Sequence, residues 1–500
     1  MTTVNPFDPA EPIPEGRSVI EASAGTGKTF TIAAHVTRLV AEAGIPIDRI
    51  LVVTFTRAAT AELQGRIRNR LVETLRILSC DIPATGADDH IRVLLNADEA
   101  ARERSIERLT EAVIRFDRAQ IYTIHGFAIR LLAHLGFHAR ISPDLEPIAV
   151  DTELISQVVS DLIVARFADD ATDLVDAAAL TDIAKAVTTN LDAKIVPDPA
   201  TAIGAPAVRA ELAAAARTEI DRRLRAGGSA GFDQFLLEAR DALADPGIGE
   251  HARQILSERF AVALVDESQD TDPIQWEVIN AVFDETRLVI IGDPKQSIYA
   301  FRGADIESYL SSVDRAETER TLLTNWRSDG PLITALDAVF DGVTFGDDRI
   351  AYRKVRPAPD HEDARIHGPG APLTIRRFAP TMPIPRWGGR SDKPFNRAPA
   401  AQVVAADVAA GTVRLLHSGI EIDGEKGRRS VGPGDVAVLC RTRKQIDLVR
   451  AELGRRGVPS VASRSGSVFV TEAADEWRRF LLGVERPDRA STVRYAATGV

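Results

Sequence analysis

Short apolar runs separated by longer amphipathic stretches organise the first part of the chain. Residues 18–21, 50–55, 262–265 and 288–291 are short segments rich in Val, Ile, Leu and Ala. Parallel strands covered on both faces read as nearly unbroken apolar runs of this kind. Between the first two runs, residues 30–43 carry apolar side chains at helical spacing. The order of strand, loop, helix and strand predicts an α/β fold with a parallel sheet.

Helical stretches interrupt this sheet. Residues 58–118 are charged and have helical spacing, and a second helical stretch runs from Thr123 to His134. Residues 151–225 are rich in Ala, Asp, Leu and Arg and contain no strand pattern. Because the apolar strand runs return only at residue 262, we expect a mainly helical insertion inside the first domain.

The last part of the chain predicts a second α/β unit. Residues 342–399 are dense in Pro, Gly and charge, which indicates a long irregular connection with one strand near Leu373–Ile375. Apolar runs at 435–439 and 458–461 predict two strands, and the spacing between them predicts a helix over 444–456.

Length and composition limit the class of protein. A chain of 500 residues is too long for one core. Its net charge of -11 argues against a protein that coats nucleic acid nonspecifically, and its two cysteines cannot form a disulfide framework. The sequence has neither a membrane-length apolar run nor a signal peptide, so we expect a cytoplasmic protein. The expected domains are a first domain of residues 1–135 and 229–319, an insertion of residues 136–228, and an incomplete second domain of residues 320–500.

The turn after the first predicted strand ends in Gly-Lys-Thr, which is typical of a phosphate-binding loop. In such loops the backbone amides and the helix N-terminus bind phosphate, the lysine reaches the β- and γ-phosphates, and the threonine ligates Mg²⁺. An alanine stands where the general pattern has its first glycine, and a glycine turn without a ligand is the alternative. The flanking strand and helix favour the phosphate loop. Its residues are Ala22, Ser23, Ala24, Gly25, Thr26, Gly27, Lys28 and Thr29.

Two adjacent acids, Asp266 and Glu267, directly follow the apolar run at 262–265. Carboxylates at the end of a buried strand are costly unless they meet a cation, which favours a magnesium role. Asp266 would hold the metal and Glu267 would orient the attacking water. An exposed acidic turn is the alternative, and the phosphate loop earlier in the chain argues against it.

Residues 292–304, which follow the next apolar run, read Gly-Asp-Pro-Lys-Gln-Ser-Ile-Tyr-Ala-Phe-Arg-Gly-Ala. This segment resembles the third motif of superfamily 1 DNA helicases of the UvrD and RecB type. The resemblance implies P-loop, RecA-like motor domains in which Gln296 senses the γ-phosphate and Tyr299, Phe301 and Arg302 lie near DNA. Aromatic side chains stack on any base at ~1–3 kcal/mol per base, which suits movement along any sequence. Packing of the aromatics in the core is the alternative.

Other segments resemble further motifs of this family in the family's order. Residues 54–59 and 122–127 resemble motifs associated with single-stranded DNA. Taken alone, the histidine in the second segment is more typical of a structural role, so its DNA role depends on the resemblance. The DNA contacts that the resemblance implies here are Phe55, Thr56, Arg57, Thr123, His125 and Phe127.

Residues 324–328, Thr-Asn-Trp-Arg-Ser, resemble the fourth motif. The resemblance implies that Arg327 reaches the γ-phosphate and that Trp326 stacks on adenine opposite Phe30. Arginine suits the first role because its planar charged fork binds phosphate with two hydrogen bonds. Packing of Trp326 in the core is the alternative.

Two details favour the RecB branch, the family of the exodeoxyribonuclease V beta subunit. Residues 20–31 resemble the RecB form of the phosphate loop, and residues 434–441 resemble its second motor domain. The family's fifth and sixth motifs and the RecB nuclease domain are not found between residues 472 and 500. We therefore expect a piece of a longer protein, which by itself binds nucleotide weakly, shows little DNA-stimulated hydrolysis and does not unwind DNA.

The resemblance implies an ATP- and Mg²⁺-dependent DNA helicase that acts in double-strand-break repair. Its partners would be single-stranded DNA, duplex ends and the other exodeoxyribonuclease V subunits, with no membrane. A UvrD-like repair helicase without a nuclease is one alternative. A DNA-binding relative that has lost its ATPase is another, and a P-loop ATPase acting on proteins or small molecules is a third.

Overall fold

The computed structural model describes residues 5–498 apart from 86, 137–144, 168–175, 199–200, 202, 285, 301–302, 378–396, 425 and 464–471. The chain divides into two compact units, Met1–Glu362 and Asp363–Val500. Among the described residues, no helix combines the length and the apolar character that crossing a membrane requires.

The first unit is an α/β domain. Its strands are β1 (Asn5–Pro6), β2 (Arg17–Glu21), β3 (Ile50–Thr54), β4 (Gln120–Thr123), β5 (Glu146–Ile148), β6 (Ser229–Gly231), β7 (Val262–Val265), β8 (Arg287–Gly292), β9 (Thr318–Thr321), β10 (Thr324–Asn325) and β11 (Arg356–Pro357). Its helices are α1 (Lys28–Ala41), α2 (Arg57–Leu78), α3 (Asp89–Leu95), α4 (Glu99–Ile114), α5 (Ile124–Leu135), α6 (Thr152–Phe167), α7 (Ala177–Thr189), α8 (Ala205–Ala226), α9 (Phe232–Ala244), α10 (Gly249–Arg259), α11 (Pro273–Phe283), α12 (Ile306–Asp314) and α13 (Gly330–Phe340).

A parallel sheet with the strand order β1-β9-β2-β8-β7-β3-β4 forms the centre of this unit. Successive side chains of a strand point to opposite faces, and each face is covered by helices. On β3, for example, Leu51 belongs to the core that includes residues of α5, α9, α10, α11 and α12, whereas Val52 belongs to the core that includes residues of α1, α2, α3 and α4. The four strands predicted from apolar runs, β2, β3, β7 and β8, are confirmed. Their runs are nearly unbroken because these strands are buried on both faces.

The predicted helical insertion consists of α6, α7 and α8, which share a small core that includes Ile155, Leu180 and Ile220. At its base, β5 and β6 pair in parallel, with Glu146 opposite Ser229. This pair precedes α9, so the chain returns to the main domain directly after the insertion.

Residues 321–362 belong to the first unit. β9 lies in the main sheet beside β2, and the division into units falls after Glu362. Arg353, beyond β9 and β10, forms an ion pair with Glu21 at the end of β2. The boundary between the two motor domains expected at residue 320 stays a prediction.

The second unit contains a small antiparallel sheet in the order β12-β13-β14. Helices α14 and α15 share a core that includes Ala409 and Leu453. The elements are β12 (Ile366–His367), α14 (Arg397–Leu416), β13 (Glu421–Gly424), β14 (Gly427–Ser430), α15 (Arg443–Arg455), α16 (Glu472–Glu485) and α17 (Ala490–Ala497).

Three expected strands of the second unit are wrong, although the helix over 444–456 is present as α15. Residues 373–375, 435–439 and 458–461 form no strand. The physical reason is that an apolar run becomes a strand only beside a hydrogen-bonding neighbour. Leu439 and Val461 are instead 96% and 97% exposed.

Candidate functional site

The phosphate loop joins the end of β2 to the start of α1. Gly25 and Gly27 have φ values of 81° and 91°, a backbone region that favours glycine, and Gly27 is the N-cap of α1. The Thr26 hydroxyl donates to the Ser23 carbonyl at 2.7 Å. Ala22, which replaces the first glycine of the pattern, is fully buried, and its amide donates to the Gly292 carbonyl at 2.9 Å. The loop is thus fixed to β8 and has the helix N-terminus that binds phosphate.

Lys28, the first residue of α1, contacts an acid at the end of β7. Its Nζ lies 2.6 Å from Oε2 of Glu267. Glu267 has a positive φ of 49°, which is uncommon for a residue other than glycine, and its carboxylate accepts a second hydrogen bond from Gln269 Nε2 at 2.7 Å. In this conformation the carboxylate neutralises the cation that would otherwise meet a phosphate.

Asp266 is buried beside this pair. Burial, together with the negative charge of Glu267, raises the pKa of Asp266 to about 6. Oδ1 of Asp266 accepts the Glu267 amide at 2.9 Å, and Thr54 donates to Oδ2 at 3.4 Å. A buried carboxylate with weak compensation is stabilised by a bound cation, so Asp266 fits a magnesium ligand.

Thr29 lies at the start of α1 next to Lys28, where its hydroxyl fits the second magnesium ligand. Among the described residues, no cluster of three or more His, Cys, Asp or Glu could hold a metal by itself. Mg²⁺ beside a nucleotide commonly uses one or two protein ligands with phosphate and water oxygens. The donor set here therefore fits nucleotide-bound magnesium.

Gln296 is linked to Glu267 through two further side chains. The Gln296 side-chain amide donates to Asp293 Oδ2 at 2.6 Å. The Asp293 backbone amide donates to Gln269 Oε1 at 3.0 Å, and the other end of the same Gln269 amide holds Glu267. A change at Glu267 can therefore be transmitted to Gln296 through a buried glutamine.

A buried ion network supports the same edge of the sheet. Lys295 Nζ lies 2.5 Å from Glu21 and 2.8 Å from Asp293. Glu21 also pairs with Arg353 at 2.5 Å, and Arg353 lies 3.4 Å from Glu319. Because each buried acid has a cation beside it, the charges are compensated and the loop after β8 is held in place.

Residues 325–327 pack against the phosphate loop. The Trp326 amide donates to the Gly25 carbonyl at 2.8 Å, and Asn325 Nδ2 donates to the Ala24 carbonyl at 3.1 Å. Asn325 Oδ1 accepts the Arg327 amide at 2.9 Å. These contacts place the backbone of Arg327 beside the loop, as a role at the γ-phosphate requires.

The side chains of Phe30 and Trp326 both lie next to Gly27. A Cβ atom on Gly27 would lie 3.9 Å from Phe30 Cβ and 3.6 Å from Trp326 Cδ1. The two side chains are 44% and 59% exposed, so they do not belong to the core. This exposure argues against the core alternative for Trp326, and stacking of a base between the two rings stays a prediction.

The predicted DNA contacts form two groups. In the first, the rings of Phe55, which directly follows β3, and Tyr299, which lies seven residues beyond β8, are 4.9 Å apart. In the second, His125 Nε2 lies 3.0 Å from Asp233, and the His125 ring meets Phe232 edge-on at 6.2 Å. The structure therefore pairs residues that the sequence separates widely.

Arg57 belongs to the second group, because its guanidinium lies 5.8 Å from the Phe232 ring centroid. Phe232 and Asp233 were not predicted, since nothing in their local sequence marks them. Thr56 and Thr123 are N-caps, with hydroxyls that accept the amides of Ala59 and Gly126. Phe301 and Arg302 lie outside the described residues.

Phe127 is the exception among the predicted DNA contacts. Its ring is fully buried and packs edge-on against Phe260 at 5.8 Å. A side chain without exposed surface cannot stack on a base, so the expected contact is wrong. The apolar spacing of α5, with Ile124, Ala128 and Leu131 also buried, is the sequence signal for core packing.

The parallel sheet, the phosphate loop after β2 and the acidic pair after β7 define a P-loop nucleotide-binding domain of the RecA-like type. Comparison with known proteins makes this class more specific. Residues 5–317 match the family described as UvrD/REP helicase N-terminal domain. The chain belongs to this helicase family.

Curated relatives agree over nearly the whole chain. It is 35% identical over 498 residues to the RecBCD enzyme subunit RecB of Mycobacterium tuberculosis (strain ATCC 25618 / H37Rv), covering 98% of this chain and 44% of that protein. For RecB of Mycolicibacterium smegmatis the identity is 36%, with 97% and 43% covered. For RecB of Escherichia coli (strain K12) it is 28%, with 98% and 52% covered. The chain thus spans about half the length of these relatives.

Proposed function

We propose that this chain is the ATP-driven motor of a RecB-type DNA helicase, acting in double-strand-break repair as part of a helicase-nuclease complex. The observation that carries the proposal is the contact of Lys28 with Glu267 beside buried Asp266, with residues 325–327 packed on the same loop. The RecBCD relatives support partners of the exodeoxyribonuclease V type and duplex DNA ends as substrate. A motor of this kind works on chromosomal DNA, so we place it in the cytoplasm.

In the proposed reaction, the loop amides and Lys28 bind the phosphates of ATP. Thr29 and Asp266 would hold Mg²⁺, which would supply positive charge to the phosphates. Glu267 orients the attacking water, Gln296 contacts the γ-phosphate, and Arg327 stabilises the charge that develops there. The planar base stacks between Phe30 and Trp326.

Because Lys28 contacts Glu267 in this conformation, ATP binding would exchange the glutamate for a phosphate as the partner of Lys28. A phosphate that attracts Lys28 releases Glu267, which becomes available to orient water. The movement of Glu267 changes the hydrogen bonds of Gln269, because the Gln269 side chain donates to Glu267 and accepts from Asp293. Asp293 in turn accepts a hydrogen bond from Gln296. The change reaches Tyr299, three residues beyond Gln296, and alters the aromatic pair with Phe55 that would contact DNA.

Substitutions at Lys28 and Glu267 test this assignment in opposite directions. Lys28→Ala removes a charge-assisted contact, so we expect Mg-ATP affinity to fall at least tenfold. Glu267→Gln frees Lys28 from its acid, so we expect the affinity to rise about fivefold, the equivalent of about 1 kcal/mol, while hydrolysis is lost. Glu62→Gln on the exposed side of α2 is the control and should leave both unchanged.

The measurements are titration with a fluorescent ATP analogue, and phosphate release by the intact complex in the presence of single-stranded DNA. If Glu267→Gln hydrolyses ATP at the parental rate in the intact complex, the assignment of the catalytic acid is wrong. If Lys28→Ala binds Mg-ATP with parental affinity, the phosphate loop is not the nucleotide site.

A further inference from the structure

The Phe30 ring packs against the buried guanidinium of Arg70. The guanidinium carbon of Arg70 lies 4.8 Å from the Phe30 ring centroid, a distance typical of a cation–π contact. Arg70 is in α2, and its side chain is only 8% exposed. The Phe30 ring itself is 44% exposed beside the phosphate loop. One side of the ring therefore meets a buried charge while the ring keeps accessible surface beside the loop.

The position of Arg70 is fixed by the start of α3. Asp88 is the N-cap of α3, where its Oδ1 accepts the Ile91 amide at 3.3 Å, and its Oδ2 accepts Arg70 Nη2. Glu73 holds another nitrogen of the guanidinium at 3.4 Å. Asp88, and more weakly the half-exposed Glu73, thus hold the Arg70 guanidinium beside the ring.

The His90 ring also packs against Phe30. It is buried, with its ring 6.2 Å from Phe30 and 5.9 Å from Phe7. Burial lowers the pKa of His90 to about 4, so its imidazole is neutral near pH 7. Arg70 is consequently the charge next to the Phe30 ring, and His90 acts as a packing surface.

We propose that Arg70 is a positioning residue for the nucleotide base: it fixes the Phe30 ring as one wall of a pocket for a planar purine base. The inference rests on the proposed nucleotide site. A ring that already has its bound orientation loses less conformational freedom when a base stacks on it, which raises affinity for the base. Arg70 acts on the base alone, because the phosphates are bound by the loop and Lys28.

If Arg70 has this role, its substitution should change the affinity for ligands that have a base and leave the affinity for ligands without a base unchanged. Arg70→Met removes the cation and keeps most of the side chain, so we expect the Kd of Mg-ATP to increase roughly three- to tenfold. The Kd of inorganic tripolyphosphate, which has no base, should not change. Arg70→Lys keeps a cation and the fold, and should give a smaller loss. Arg66→Met, in an exposed pair one turn earlier in α2, is the matched control.

A double-substitution cycle tests whether Arg70 acts through Phe30. If it does, Phe30→Ala and the combination of Phe30→Ala with Arg70→Met should weaken Mg-ATP equally. Additive losses, an unchanged Mg-ATP affinity in both Arg70 variants, or equal losses for Mg-ATP and tripolyphosphate would each overturn the proposal. Failure of the unsubstituted chain to bind either ligand would instead refute the proposed function.

Discussion

Gly25 lies where the phosphate loop meets residues 325–327, and Gly25→Ala tests that contact. An added Cβ would lie 2.8 Å from both Arg327 Cβ and Asn325 Oδ1. Neither atom is the free end of a flexible side chain, since one is next to the backbone and the other is held by two amides. Relief therefore requires the loop and the arginine segment to separate.

The magnitude follows from two contributions. A φ of 81° costs a residue with a Cβ ~1–2 kcal/mol. Overpacking against two close atoms adds ~1–3 kcal/mol. Gly228→Ala is the matched control, because Gly228 has a φ of 73° but no atom of the described residues lies within 4 Å of its added Cβ. The control should show only the first contribution.

We expect Gly25→Ala to lower the free energy of unfolding by ~2–5 kcal/mol, and Gly228→Ala by ~1–2 kcal/mol. The Mg-ATP affinity should fall about tenfold or more in Gly25→Ala alone, because displacement of the loop misdirects its amides. Thermal unfolding and nucleotide titration measure the two effects. If both variants lose equal stability and keep parental affinity, the close approach of residues 325–327 to the loop is wrong.

Three further predictions concern other parts of the first unit. Glu21→Gln removes the buried acid shared by Lys295 and Arg353, and should lower the free energy of unfolding by roughly 3 kcal/mol. This value is the lower end of the range for broken buried pairs, because each cation keeps another acid. A loss below ~0.5 kcal/mol in denaturant unfolding would contradict this prediction. Burial lowers the pKa of His35 to about 3, so the unfolded chain takes up the proton first and the stability contributed by neutral His35 is lost as pH falls below 6.5. Relative to the parent, His35→Leu should therefore gain ~2 kcal/mol between pH 7 and pH 5, and a difference independent of pH would refute the assignment. Tyr299→Ala should weaken binding of single-stranded DNA by ~1–3 kcal/mol with little sequence dependence, measured by fluorescence anisotropy, whereas unchanged binding would favour a packing role.

The sequence predicted those parts of the fold in which local pattern and burial agree. β2, β3, β7 and β8 are buried on both faces, so their apolar runs identified them without an alignment. The phosphate loop and the acidic pair were readable because both directly follow such strands. The runs at 435–439 and 458–461 had the same pattern but no neighbouring strand, and strand formation depends on that neighbour.

The contacts that tune the site could not be read from the sequence. Arg70 is forty positions from Phe30, and no spacing rule connects a residue in the second half of α2 to one at the start of α1. Phe232 and His125 meet only because the helical insertion returns the chain beside α5. Phe127 was assigned to DNA from its motif, although the helical spacing of its apolar neighbours indicated the core.

We propose above that nucleotide binding at the phosphate loop changes DNA binding at the aromatic pair of Phe55 and Tyr299. The most direct test measures the affinity of the chain for a single-stranded oligonucleotide with and without a saturating, non-hydrolysable Mg-ATP analogue. Coupling between the sites should change the affinity about 5- to 150-fold in the parent, and the analogue should have no effect in Lys28→Ala. If the parent binds the oligonucleotide equally well with and without the analogue, the two sites are not coupled and the claim is wrong.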